Sequence, residues 1–319
     1  MILPPALRPG DVVRVVAPAS PFDPEAFERG LEVLSARLGL RPRMRGDVKA
    51  RWRYLAGDDA RRAEEWREAV ADPEATAIFC VRGGYGAMRI LPAIDPAPLL
   101  ARPKLFVGFS DVTVIHALLN RAGLATVHGP VITQLGRAPD DAVAHLARVL
   151  AGDAARAGAW EAPGPGAGLA GTATIRPGRA SGPILGGSLT LLAHLCGTPY
   201  APRLDGAILL LEDVDEKPYE LDRYLTQLRL SGALDGVAGI AVGQLPKCDT
   251  PNLPGAVVVR DAVRALGVPA IEGIPVGHED ANFAVPLGAR GTLVAPEPGE
   301  EGPPRLLFDA WTGRARGAA

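Results

Sequence analysis

The segment Lys104-Leu-Phe-Val-Gly108-Phe109-Ser110-Asp111-Val112 joins an apolar run directly to a helical pattern through Gly-x-Ser-Asp. A sharp strand-to-helix turn lifts a serine hydroxyl out of the backbone at the carboxyl end of a sheet strand. There the amides at the helix start can face a developing oxyanion. Such a nucleophile needs an imidazole to take its proton, and an acid to fix the imidazole tautomer and stabilise its charged form. The same residues also fit a plain helix start, because Ser and Asp are common N-caps. Val112 stands where many nucleophile turns have a second glycine.

Two later segments could supply the partners. Glu212 closes the apolar run Gly206-Ala-Ile-Leu-Leu-Leu211, and His278 follows Ala270-Ile-Glu-Gly-Ile-Pro-Val276-Gly277. Ser110, Glu212 and His278 each lie at or just past a strand-like run, in the order serine, acid, histidine. Asp213, Asp215 and Glu216 fit the acid's role equally well, and a carboxylate after a buried strand often caps the next helix. The rival base is His128, which follows a strand in Thr126-Val-His-Gly-Pro130. His116 and His145 fall on helical patterns, and His194, inside an apolar helix, reads as a core residue. The acidic cluster matches no metal-loop spacing.

A second strand-to-helix loop, Arg82-Gly83-Gly84-Tyr85-Gly86, invites a phosphate reading. It comes too late in the chain, and with the wrong spacing, for the dinucleotide fingerprint. It also lacks the Gly-Lys-Ser/Thr of a P-loop. Two uses remain: backbone donors lining a pocket beside Ser110, or a tight turn.

The elements that must hold these groups alternate. Strands are expected at Val12–Val16, Ala77–Val81 and Leu105–Val107. Helices are expected over Pro24–Leu38, Arg61–Val70, Met88–Leu91 and Val112–Leu119. This order specifies a parallel sheet with helices on both faces, which binds ligands beyond the carboxyl ends of its strands. The expected fold is α/β, with this N-terminal domain over 1–151. A Pro/Gly-rich interdomain linker carrying Trp160 follows over 152–182. A C-terminal mixed α/β domain with a β-rich tail then spans 183–319. In it, Ile184-Leu-Gly186-Gly187-Ser188-Leu opens a helix, and Pro218–Leu230 and 257–266 form two more.

Bulk properties narrow the function. The chain has 319 residues, 47% of them hydrophobic, and a net charge of −2, so nothing favours nucleic acid or an anionic membrane. Cys80, Cys196 and Cys248 have no metal-ligand spacing and are odd in number, which fits small buried thiols in a reducing cytoplasm. The first residues have no secretory pattern, and no apolar stretch reaches the roughly 20 residues of a membrane helix.

The motifs as a set resemble the LD-carboxypeptidase family. Its N-terminal half is matched by Val81-Arg-Gly-Gly-Tyr-Gly-Ala87, Ile94-Asp95, Pro103-Lys104, Gly108-Phe-Ser-Asp111 and His128-Gly-Pro130. Its C-terminal half is matched by Gly197-Thr-Pro199, Leu211-Glu-Asp-Val-Asp-Glu-Lys-Pro-Tyr219, Asp222-Arg223, Val276-Gly-His278, Asn282 and Pro286-Leu-Gly288.

The resemblance implies a cytoplasmic, homodimeric serine peptidase of murein recycling, with no metal or organic cofactor. Such an enzyme releases the terminal D-alanine of murein tetrapeptides from an L-configured centre. Carried over by motif, Ser110 is the nucleophile, His278 the base and Glu212 the orienting acid. The amides of Asp111 and Gly84 form the oxyanion hole, and Tyr85 borders the substrate. Gly186-Gly187-Ser188 departs from the family's Gly-Gly-Asn, and Glu279-Asp280 makes the histidine loop unusually acidic. The family also includes microcin C immunity peptidases, which cleave an amide between aspartate and a nucleotide-like group, so Trp160 could hold a base. A non-catalytic peptide- or nucleotide-binding protein on the same scaffold is the alternative of another class.

Overall fold

The computed structural model describes residues 1–152 and 168–309. They form two compact units: residues 1–152 with 283–286, and residues 168–282 with 287–309. The fold is α/β.

In the first unit, β1 (Val12–Val16), β2 (Arg41–Arg43), β3 (Ala75–Cys80), β4 (Leu105–Gly108) and β5 (Thr126–His128) pair in parallel in the order β5-β4-β3-β1-β2. Every residue of β1 and β4 is buried, as a strand covered on both faces requires. The helices begin at legible caps. Asp23 accepts the Ala26 N–H (2.8 Å) ahead of Pro24–Glu32, and Asp58 accepts the Arg61 N–H (2.8 Å) ahead of Asp59–Ala71. The latter helix packs on the sheet through Trp66, which meets Phe106 edge-on at 5.5 Å.

The second unit holds a mixed sheet. Its strands are β6 (Gly168–Ala170), β7 (Ala173–Arg176), β8 (Gly178–Ser188), β9 (Ile208–Glu212), β10 (Gly239–Val242) and β11 (Ala270–Glu272). After β12 (Val285–Leu287), which sits beside β5 in the first sheet, come β13 (Arg290–Ala295) and β14 (Arg305–Phe308). The order is β6-β14-β13-β8-β9-β10-β11-β7, with a parallel centre from β8 to β11 and antiparallel flanks. Leu209, Leu211 and Ile240 of the parallel strands form the core with Leu221 and Leu228 of helix Pro218–Leu230 and Val259 and Val263 of helix Gly255–Ala265.

Several expectations are corrected. The apolar stripe from Phe27 to Leu38 runs through a helix at Pro24–Glu32 and then a π turn at Val33–Arg37. Residues 168–182, read as linker, carry β6, β7 and the start of β8; Trp160 lies outside the described residues. Ile184–Ser188 does not open a helix but ends the strand β8, and the helix begins at Leu189. The glycines explain this. Gly186 has φ +137°, and a Cβ there would lie 1.9 Å from the Leu210 carbonyl oxygen, so only glycine lets β8 pair with β9. His194 is exposed rather than in the core, because its helix buries Leu189, Leu192, Ala193 and Leu195 instead; its ring lies edge-on to Tyr224 at 5.6 Å. Cys80 and Cys248 are buried thiols, whereas Cys196 is half-buried.

Candidate active site

In the first unit the site begins where β4 ends. The Gly108 carbonyl accepts from the Gly129 N–H (3.1 Å) and from His116 Nε2 (2.8 Å), which pins the strand two residues before the serine. Full burial pushes His116 down to about 3, so the ring is neutral; Nε2–H donates, and Nδ1 accepts from the Thr126 hydroxyl (2.8 Å). Phe109 is extended, Ser110 is left-handed at φ +66°, and a 3₁₀ turn at Ser110–Val112 leads into helix Thr113–Arg121. A non-glycine residue in that region costs about 1–2 kcal/mol. Such strain is stored where the surroundings hold a side chain in a required place.

The glycine loop packs against this turn. A Cβ on Gly83 would stand 2.9 Å from Ser110 Oγ and 3.0 Å from the Asp111 amide nitrogen. The space that touches both the hydroxyl and that amide therefore exists because residue 83 is glycine. Gly84, at φ +99°, has no such room: a Cβ would meet Ser20 Oγ at 2.6 Å. Gly83 is not among the residues with positive φ, so its backbone angles admit alanine, but the new Cβ would also stand 2.8 Å from Ser110 Cβ, so Gly83→Ala displaces the serine turn itself. We expect it to lower kcat on the natural substrate by about 10²-fold, as misplacing a reacting group by an ångström does. Wild-type kcat in that variant would remove the loop from the chemistry.

Three groups hold the loop. The buried Asp111 carboxylate accepts the Ala87 N–H (2.7 Å), which caps helix Ala87–Ile90. Burial raises this carboxyl to about 6, against the pull of the Ala87 amide and of Arg62. Ser20 Oγ accepts the Tyr85 N–H (3.0 Å). The fully buried Arg62 donates to the Gly86 carbonyl (2.7 Å) and the Pro18 carbonyl. Tyr85 itself is exposed and meets the ring of Tyr54 at 5.6 Å.

In the second unit, Glu212 closes β9 and is fully buried. Its Oε2 lies 2.7 Å from Nδ1 of His278, whose side chain is 16% exposed. A carboxylate beside Nδ1 accepts a hydrogen bond from the ring N–H there, which leaves the lone pair of the neutral imidazole on Nε2. The preceding Gly277 has φ +140°, and a Cβ on it would be 3.0 Å from Glu212 Oε2, so glycine lets the histidine loop close over the acid. The Gly277 N–H donates to Asn282 Oδ1 (3.0 Å). Ring and carboxylate together form a polarised base that can accept a proton from a hydroxyl.

The competing residues go elsewhere. Asp213 accepts the Thr190 N–H (2.7 Å) and the Val214 N–H (2.9 Å); burial and the charge of Glu212 raise its carboxyl to about 6. Ser188 is the register partner of Glu212, caps helix Leu189–Leu195 and donates to Asp213 at 3.5 Å. Asp215 is exposed, and Glu216 accepts from the Thr190 hydroxyl (3.1 Å) and Tyr224 (3.3 Å). His128 is fully buried in the first unit, its ring 5.7 Å from that of Phe109. Among the described residues no group of His, Cys, Asp and Glu could hold a metal ion, and no helix is long and apolar enough to cross a membrane.

Ser20, Arg62 and Gln244 also hold the site, although no motif marks them. Gln244 Nε2 donates to the Ala281 carbonyl (2.9 Å), and its Oε1 accepts the Glu279 N–H (3.0 Å). One signal was available for two of them. Ser20 and Gln244 each follow the carboxyl end of a parallel strand, where site residues of such sheets collect.

The family model of the LD-carboxypeptidase N-terminal domain matches residues 13–129, and that of the LD-carboxypeptidase C-terminal domain matches residues 181–293. The probable murein peptide carboxypeptidase of Bacillus subtilis is 35% identical over 296 residues, 91% of each chain. The murein tetrapeptide carboxypeptidase of Pseudomonas aeruginosa is 34% identical over 297 residues, 88% of this chain and 92% of its own. The crystal structure of muramoyltetrapeptide carboxypeptidase from Oxalobacter formigenes matches with a TM-score of 0.81 at 26% identity, covering 95% of this chain and 100% of that one.

Proposed function

The chain belongs to the LD-carboxypeptidase family and is a carboxypeptidase hydrolase of that serine-type group, and from this premise we propose that it releases the terminal D-alanine of murein tetrapeptides through an acyl-enzyme. Ser110 Oγ attacks the carbonyl of the diamino acid's L-centre as His278 Nε2 takes its proton. Amides of Asp111 and Gly84 hold the tetrahedral oxyanion. His278 then gives the proton to the departing D-alanine amine, and the C–N bond breaks. Water, deprotonated by the same imidazole, attacks the acyl-serine and frees the tripeptide. Glu212 stabilises the imidazolium in both halves without taking its proton.

The observation that carries this reading is the 2.7 Å contact between His278 Nδ1 and the fully buried Glu212. A binding module has no need of an imidazole whose outer nitrogen is made basic by a carboxylate withdrawn from water. The division of labour follows the two units: the nucleophile lies in the first, and the acid and base in the second. The relatives named for murein peptides support the substrate. The three thiols without a disulfide support a reducing cytoplasm. A homodimer follows from the family resemblance.

The test is turnover of a murein tetrapeptide beside an aspartyl-nucleotide amide, with mass spectrometry for an acyl adduct. Release of D-alanine through an adduct on Ser110 is expected. Cleavage of the nucleotide amide alone would move the enzyme to the immunity-peptidase substrate. Binding of either compound without an adduct or product would make the chain a binding protein.

A further inference from the structure

We infer that Gln244 is a positioning residue that sets the imidazole of His278 against Glu212, so that it governs kcat rather than substrate affinity; this rests on His278 being the base. Gln244 stands two residues past the end of β10. Its main chain is stitched to both arms of the pair: the Asp213 N–H donates to its carbonyl (3.1 Å), and its own N–H donates to the Val276 carbonyl (2.9 Å). Its side chain spans the turn that carries the histidine. The amide accepts the N–H of the residue directly after His278 and donates to the carbonyl of Ala281, at 3.0 and 2.9 Å.

The neighbouring glycine reports how tight this packing is. A Cβ on Gly277 would lie 3.0 Å from Glu212 Oε2 and 3.1 Å from Gln244 Cβ, so acid and glutamine flank the same residue of the loop. Gln supplies one donor and one acceptor at the required reach. Glu at neutral pH can only accept, Met fills the volume but does neither, and Asn is one methylene short. The turn 278–281 is thus closed by a side chain that makes no statement about substrate chemistry and acts through the histidine. An ångström of misplacement in a reacting group costs about 10²-fold in rate.

The experiment measures kcat and KM on murein tetrapeptide for Gln244→Met and Gln244→Glu, with unfolding midpoints. Gln227→Met is the matched control, since Gln227 donates to the Ala193 carbonyl (2.8 Å) in the same unit and has no part in the site. Gln244→Met should lower kcat about 10–100-fold with KM within about 2-fold, while Gln227→Met stays near wild type. Gln244→Glu, which keeps the acceptor for the Glu279 N–H but loses the donor to the Ala281 carbonyl, should also lower kcat with KM little changed. The kcat-against-KM split in Gln244→Glu also tests the inference should the Met variant fail to fold. Wild-type kcat in Gln244→Met or in Gln244→Glu, or an equal loss in Gln227→Met, would each overturn it. His278→Ala runs alongside. If it is inactive while Gln244→Met is unimpaired, only this inference fails; if it is fully active, the assignment of the base fails as well.

Discussion

Replacing Ser110 with alanine should lower kcat on the murein tetrapeptide by on the order of 10⁵–10⁶, since the members of a nucleophile–base–acid set act as a unit. The acyl adduct should vanish with the turnover. Stability separates this effect from damage to the fold. Ser110 sits at φ +66°, where a side chain with a Cβ is strained and glycine is not. Ser110→Gly should therefore be as inactive as Ser110→Ala yet about 1 kcal/mol more stable, read from denaturant unfolding. A folded Ser110→Ala enzyme with wild-type turnover would remove the serine from the reaction.

Glu212→Gln should lower kcat by about 10⁴-fold with little change in KM. The replacement keeps the shape of the end of β9. It presents an amide NH₂ to Nδ1, however, which favours the tautomer carrying its proton on Nε2, the atom that must be a lone pair when the hydroxyl is deprotonated. The neighbouring carboxylate cannot step in. Asp213 is committed to the Thr190 and Val214 amides, and its carboxyl is held near pH 6 by burial and by the charge of Glu212. Asp213→Asn should accordingly keep kcat within about 10-fold of wild type, because it stands outside the hydrogen-bonded set. Steady-state kinetics on the two variants would decide between the acids, and a larger loss in Asp213→Asn than in Glu212→Gln would reverse the assignment.

The readable parts of the fold share one property: they are local. The five buried residues of β1 and the turn at Ser110 are specified by residues within a few positions of one another. Ile184–Ser188 misled for the opposite reason. Its apolar and glycine residues fit a helix start until the partner strand is known, and the close approach of Gly186 to Leu210 is what makes it a strand residue. His194 misled because an apolar window does not say which face of a short helix is covered.

Residue order and spacing alone therefore determined the alternating α/β architecture and the strand ends that carry Ser110, the glycine loop and Glu212, and the resemblance of the motif set gave the family. Tertiary structure alone decided which of four acids meets His278. Successive residues leave a strand on opposite sides, and at the end of β9 this sends Glu212 to the imidazole and Asp213 to the helix at Leu189–Leu195. Both are carboxylates after the same apolar run, identical in local pattern. What distinguishes them is which neighbour, 66 residues away for one and 23 for the other, the sheet brings alongside.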